Sequence, residues 1–144
     1  YAKKPDPESL LAILRKEGKL TPDEFKLMES HTVKGAAILE SICNLVPMIP
    51  IVRNHHERWD GSGYPRGIKG EEIPLEARIL ALVDVYDALR SKRHYKEAFD
   101  HDKTCKIILE GDGRVLPQHF DPKLLETFKK IHREFEQIFG QYNN

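Results

Sequence analysis

Two adjacent histidines and an acid, His55-His56-Glu57, stand between an upstream histidine, His31, and a downstream aspartate, Asp84. Imidazole nitrogen combined with carboxylate oxygen suits iron, manganese or zinc and does not suit calcium. Asp84 sits in Ile79-Leu80-Ala81-Leu82-Val83-Asp84-Val85-Tyr86, a helix apolar on most faces and therefore expected to be buried. A carboxylate in such surroundings must neutralise, pair with a cation such as Arg78 or Arg53, or bind a metal. His31 recurs with Leu27, Gly35, Ile38 and Ile42 at spacings of three or four, which predicts one inward face. Gly35 costs helix stability there and is expected to leave room for a bulky group beside His31. The plain alternative for His31 is a core histidine bonded to a backbone carbonyl. His55 and His56 stand about 100° apart around a helix, so they would serve two ions, or one ion and a substrate. A surface histidine pair is the bland reading.

Between the histidines and the aspartate runs a loop, Asp60 to Pro74, containing Gly61, Gly63, Gly67 and Gly70. Pro65 fixes the turn behind Tyr64, and a structureless loop of this length predicts an ordered Ω-type element with a function. Tyr64 is expected to pack on or near the metal cleft, with Arg66 and Lys69 exposed. Beyond the Asp84 helix, Arg93 and Lys96 flank Tyr95. They either compensate the helix dipole or clamp a phosphate.

The elements that must hold these residues are marked by helix signals. Asp6-Pro7-Glu8 opens a short helix that Gly18 ends. Thr21-Pro22-Asp23-Glu24 is a capping box that starts a second helix, predicted to run to about Asn44. A third begins near Pro50, with Ile51, Val52, His55 and Trp59 as its stripe. The fourth spans Leu75 to about Ser91, the fifth Asp102 to Glu110, and the last starts at Asp121-Pro122. Leu124, Leu125, Phe128, Ile131, Phe135, Ile138 and Phe139 line one side of that last helix. His132 on it reads as solvated, and Asp102 as a helix-start acid. No repeat and no strand-like alternation is found. The reading is all-α, a single domain over residues 1–144.

Charge and composition narrow the function further. Lys+Arg and Asp+Glu both number 23 in 144 residues. A neutral chain does not capture DNA by general electrostatics, though a local basic patch would still hold a small phosphate ligand. Cys43 and Cys105 lie in apolar helical contexts and read as reduced core residues of a cytoplasmic protein. No membrane-spanning run or signal peptide is visible. The abrupt start at Tyr1, followed almost at once by helix signals, reads as a piece of something longer.

The run HHERWDGSGYPRGIKGEEIPLEARILALVDVYDALRSKRHYKEA resembles the signature block of the HD-GYP domain, a branch of the HD metal-dependent phosphohydrolases. GKLTPDEFKLMESHTVKGAAIL and GRVLPQHFDPKLLETF are similar to the segments that flank it in that family. The resemblance implies an HD-domain-like bundle of about five to six helices with a long Gly-rich loop. It implies a bacterial signalling hydrolase acting on cyclic di-GMP or a related cyclic dinucleotide at a centre of two or three divalent ions, usually iron or manganese. The matching metal ligands are His31, His55, His56 and Asp84; the phosphate-gripping residues are Arg93 and Lys96. Asp60, Gly61, Gly63, Tyr64 and Pro65 form the loop that gives the family half its name. A signalling partner docked through the Tyr64 loop, and a homodimer, are further expectations.

The family's upstream histidine, its His-Asp doublet and a nearby lysine have no match, and Tyr1 stands about where that lysine would be. His101-Asp102 lies after the substrate cations and reads as a decoy, so no catalytic residue is assigned. The chain reads as truncated at its N-terminus relative to the family. A non-catalytic module sensing a cyclic dinucleotide is the alternative. His94 and Arg90 are lesser departures, standing where a proline and a small hydroxyl residue are commoner.

Overall fold

The computed structural model describes residues 7–92 and 96–143. Six α-helices follow one another: α1 Pro7–Arg15, α2 Pro22–Glu40, α3 Ile49–Asn54, α4 Leu75–Arg90, α5 His101–Glu110 and α6 Pro122–Asn143. Short 3₁₀ turns at Cys43–Met48, Gly70–Glu72 and Pro117–His119 join them. No strand is present among the described residues, so the all-α expectation holds.

Local chemistry accounts for the boundaries. Thr21 N–H donates to Glu24 Oε2 at 2.8 Å and Glu24 N–H donates to Thr21 Oγ1 at 3.2 Å, the reciprocal bonds of the predicted capping box. α2 stops at Glu40 and not near Asn44: the backbone of Ile42 is extended (φ −120°, ψ 95°), and a 3₁₀ segment containing Pro47 takes over at Cys43. α3 is likewise short. It ends at Asn54, whose side-chain amide donates back to Pro50 O at 2.8 Å, so Trp59 is not on this helix. Asp100 caps α5 through Lys103 N–H, which leaves Asp102 as an acid of the first turn.

The core lies between α4, α5 and α6. Leu82, Tyr86 and Leu89 meet Cys105, Ile107 and Ile108, closed by Phe120 and Phe128. α2 and α3 pack against each other on the far side of α4 and join it through α3. Two side-chain expectations fail here. The buried positions of α2 are Thr32 and Ala36, while His31, Ile38 and Ile42 are exposed, so the inward face is rotated by one residue from the apolar pattern. Small residues win because α3 approaches closely: a Cβ on Gly35 would stand 3.0 Å from Val52 Cγ1. Val52 is the bulky neighbour for which Gly35 leaves room. Cys43 is exposed on its 3₁₀ turn and not in the core, whereas Cys105 is buried; both are free thiols.

Candidate metal centre

His31 projects from the middle of α2, and His55 and His56 follow the last turn of α3. The helix ends just before the pair, so the two rings are not splayed around a cylinder. Their centroids lie 4.1 Å apart, and the His31 ring stands 5.7 Å from His55 and 5.0 Å from His56. One nitrogen from each of the three falls within 4.8 Å of the others.

Backbone carbonyls choose the nitrogens. His31 Nδ1 lies 2.5 Å from Met28 O, and His55 Nδ1 lies 2.8 Å from Val52 O. A carbonyl only accepts, so each Nδ1 carries the proton and each Nε2 keeps a free lone pair. That orienting bond is the usual support of a ligating imidazole. Burial, aided by the neighbouring His55 and His31 imidazoles, holds His56 down at about 4, so it is neutral at ordinary pH.

The glycine-rich loop folds back onto these rings. Tyr64 stacks on His56 with centroids 4.9 Å apart, and Phe25 of α2 meets its edge at 5.8 Å. Tyr64 N–H donates to His56 O at 3.1 Å. A Cβ on Gly63 would lie 2.4 Å from both His56 O and Arg58 N, so only glycine permits this return. Glu57 is buried; its Oε1 accepts the Arg66 N–H at 2.7 Å, while its Oε2 has no hydrogen-bond partner among the described residues. Asp60 Oδ1 accepts from Ser62 N–H and Oγ–H at 3.0 and 2.6 Å, closing the turn that contains Gly61. Arg66 and Lys69 are exposed. Burial, with Glu29 nearby, pushes the Tyr64 hydroxyl up to about 12, which leaves it a neutral hydrogen-bonding group.

Asp84 departs from its expected setting. It is exposed on α4, where Ile79, Leu80 and Val83 are also partly open, so it is not a carboxylate sealed in the core. α4 buries only the stripe Ala77, Leu82, Tyr86 and Leu89. Neither suggested cation pairs with Asp84: Arg78 holds Asp121 at 2.7 Å and Arg53 holds Glu40 at 3.3 Å. Asp84 instead faces a cleft whose walls include His55, His56, Glu57 and His119. It stands outside the tight group of three histidines.

Sequence reasoning missed three residues of that cleft: Arg58, Arg114 and His119. Arg58 immediately follows the His-His-Glu run and was in view. Arg114 and His119 come from the connection after α5, inside the run GRVLPQHFDPKLLETF, whose family likeness was the signal that could have found them. There Asp112 Oδ1 accepts N–H bonds from Arg114 and Val115 at 2.9 and 2.8 Å, and Trp59 N–H donates to His119 O at 2.9 Å. Of the two anticipated phosphate-gripping residues, Arg93 lies outside the described residues, as does His94. Lys96 is described, with its Nζ 4.7 Å from the Phe99 ring centroid, and it is not among the residues lining the cleft.

His101 of the decoy doublet stands at a helix start as expected, whereas His132 departs from its solvated reading. His101 is buried and bonded to His132, whose ring is therefore not free in solvent. Arg90 lies over the Phe139 ring at 4.7 Å, which explains a long cation where a small residue was expected.

Comparison with known proteins places these residues in context. Residues 5–124 match the model of the HD domain. The chain is 48% identical over 138 residues to a probable cyclic di-GMP phosphodiesterase of Vibrio cholerae, covering 90% of this chain and 30% of that protein. It is 42% identical over 134 residues to the cyclic di-GMP phosphodiesterase response regulator RpfG of Xanthomonas campestris, covering 92% of this chain and 34% of that one. A 3'3'-cGAMP-specific phosphodiesterase of Vibrio cholerae is 38% identical over 129 residues, covering 88% and 24%. The chain thus spans about a third or less of the length of these relatives.

Proposed function

The chain belongs to the HD domain family, and from that premise we propose that it carries part of the metal centre of a cyclic di-GMP phosphodiesterase. The proposed setting is cytoplasmic second-messenger signalling in a bacterium, with residues 1–144 as one domain of the HD-GYP kind. One observation carries the reading: the imidazoles of His31, His55 and His56 converge, two of them with the ligating nitrogen selected by a backbone carbonyl.

The donor set fits the metal that the family implies. Three imidazole nitrogens with the Asp84 carboxylate across the cleft suit iron or manganese, and the unpartnered Oε2 of Glu57 is a buried acceptor beside them. Bound together, such ions supply Lewis-acid stabilisation of phosphoryl oxygens and a water of lowered pKa. The chain's own residues do the rest. Tyr64 stacks on His56 and covers one side of the histidine group, restricting water there. Its hydroxyl stays protonated and so is available as a hydrogen-bond donor. Arg58 and Arg114 line the cleft and would take the non-bridging oxygens of a phosphodiester; Lys96, and Arg93 outside the described residues, are further candidates for the same task.

The test is phosphodiesterase activity of the whole protein on cyclic di-GMP, read together with its iron and manganese content. His31→Ala and Asp84→Ala should each lower turnover by more than about 100-fold, beyond the loss usual for groups that merely orient a ligand. Chelation should abolish turnover, and iron or manganese should restore it. Undiminished turnover in His31→Ala with chelator present would overturn the assignment.

A further inference from the structure

A second group of ligating side chains sits between α5 and α6, apart from the histidines of α2 and α3. His101 and Cys105 are one turn apart on α5, 3% and 9% exposed. His132 and Glu136 repeat the same spacing on α6. His101 Nε2 lies 2.9 Å from His132 Nδ1, 3.4 Å from Cys105 Sγ and 4.0 Å from Glu136 Oε2. From α4, the Tyr86 hydroxyl meets the opposite nitrogen, His101 Nδ1, at 2.9 Å and aims Nε2 into the group.

Hydrogen bonding among these groups accounts for only part of the arrangement. The in-plane position of His101 Nε2 is taken by His132 Nδ1, while Cys105 Sγ, 3.4 Å from Nε2 and 3.9 Å from Nδ1, lies over the ring face, where that contact gives its thiol no in-plane partner. A cation at the centre would satisfy all three at once. We propose that His101, Cys105 and His132, with Glu136 as fourth donor, form a structural site for zinc or a similar divalent ion that ties α6 to α5. Thiolate, two imidazoles and a carboxylate are a borderline-soft set that favours zinc. Zn–N bonds of about 2.0–2.1 Å and Zn–S of about 2.3 Å put tetrahedral donors about 3.3–3.6 Å apart. The observed 2.9 and 3.4 Å are already close to that spacing, and binding would require the Cys105 side chain to swing from the His101 ring face toward Nε2. Glu136 must turn from Arg133, which it now holds at 3.0 Å, and its partial exposure leaves it free to do so. Four donors close the shell, so the ion would have a structural role. This inference is independent of the proposed hydrolase activity.

Cobalt distinguishes the two sites, because the His31, His55 and His56 group contains no sulfur. Added to the chelator-stripped chain, cobalt should give a thiolate-to-metal charge-transfer absorption that zinc displaces. The band should persist in His31→Ala and in Cys43→Ser, whose exposed thiol belongs to another element. It should vanish in Cys105→Ser, and His132→Ala should need at least about 10-fold more cobalt. Zinc should also raise the melting temperature of the wild type and of His31→Ala, but not of His132→Ala. Should Cys105→Ser fail to fold, the half-buried His132 position carries the test. Absence of the band from the wild type, or an unchanged cobalt titration in His132→Ala, would overturn the proposal.

Discussion

Gly63 is the residue on which the geometry of the histidine group turns. Its missing Cβ lets the loop backbone lie against His56 O and Arg58 N, and this close approach sets Tyr64 on the His56 ring. Backbone atoms cannot move aside as a side-chain tip can. Gly63→Ala should therefore cost about 1–3 kcal/mol of stability by overpacking and weaken iron or manganese binding through the displaced His56. Gly35→Ala meets only the end of the Val52 side chain at 3.0 Å and should cost less. Urea denaturation of both variants checks the order, and equal midpoints would contradict it. At this scale much was legible in the sequence. His31, His55 and His56 stood out as candidates by residue type and spacing, and the resemblance to the HD-GYP block singled them out as ligands. What failed was burial: Asp84 and His31 were expected inside because their neighbours are apolar, but an apolar neighbour on a helix need not be buried. Ile38 is 65% exposed and Ile79 44%.

Among the elements, α4 positions the most, since it carries Asp84 on one side and core residues on the other. Its link to α6 includes a buried ion pair: Arg78 Nη1 donates to Asp121 Oδ2 at 2.7 Å, with Asp121 only 2% exposed at its side chain. Asp121 Oδ1 also accepts the Lys123 N–H at 2.9 Å and so fixes the start of α6. Removing one partner strands a buried charge. Arg78→Met should cost about 3–5 kcal/mol, and adding Asp121→Asn, which keeps the capping oxygen, should recover part of that loss. Urea midpoints of the single and double variants measure it, and a double variant weaker than Arg78→Met would show the charge was not the cause. Capping signals made α2, α4 and α6 readable, because Thr21, Pro74 and Pro122 act within one turn of themselves. The link between α5 and α6 was not readable. His101 and His132 meet through tertiary packing across about thirty residues of sequence, and no periodicity within either helix announces it.

For the whole molecule, a net charge of zero means that the fold cannot attract an anionic ligand by its overall field, so any attraction must be local. The cleft supplies that locality: Arg58 and Arg114 stand on its walls beside His55, His56 and Asp84, brought there by two connections far apart in sequence. A cyclic dinucleotide presents two phosphodiesters, so one reaching the histidine group would leave the other within range of cations on the cleft rim. The sequence pointed to Arg93 and Lys96 for this task; Arg93 lies outside the described residues, and among the described residues the cations on the cleft walls are Arg58 and Arg114, with Lys96 over Phe99. Arg58→Ala with Arg114→Ala should weaken cyclic di-GMP binding by about 1.5–3 kcal/mol for each charge-assisted hydrogen bond removed. The wild-type affinity should fall as salt rises, and the double variant should show a flatter dependence, because the cleft opens to solvent and its charges are screened. Lys103, whose Nζ lies 4.2 Å from the Phe99 ring centroid and which does not line the cleft, serves as the control, and Lys103→Ala should change neither affinity nor salt dependence. Calorimetric titration of the whole protein at low and high salt decides the matter. Affinities in the arginine double variant that match the wild type at both salts would remove these two residues from the ligand and return the task to Arg93 and Lys96.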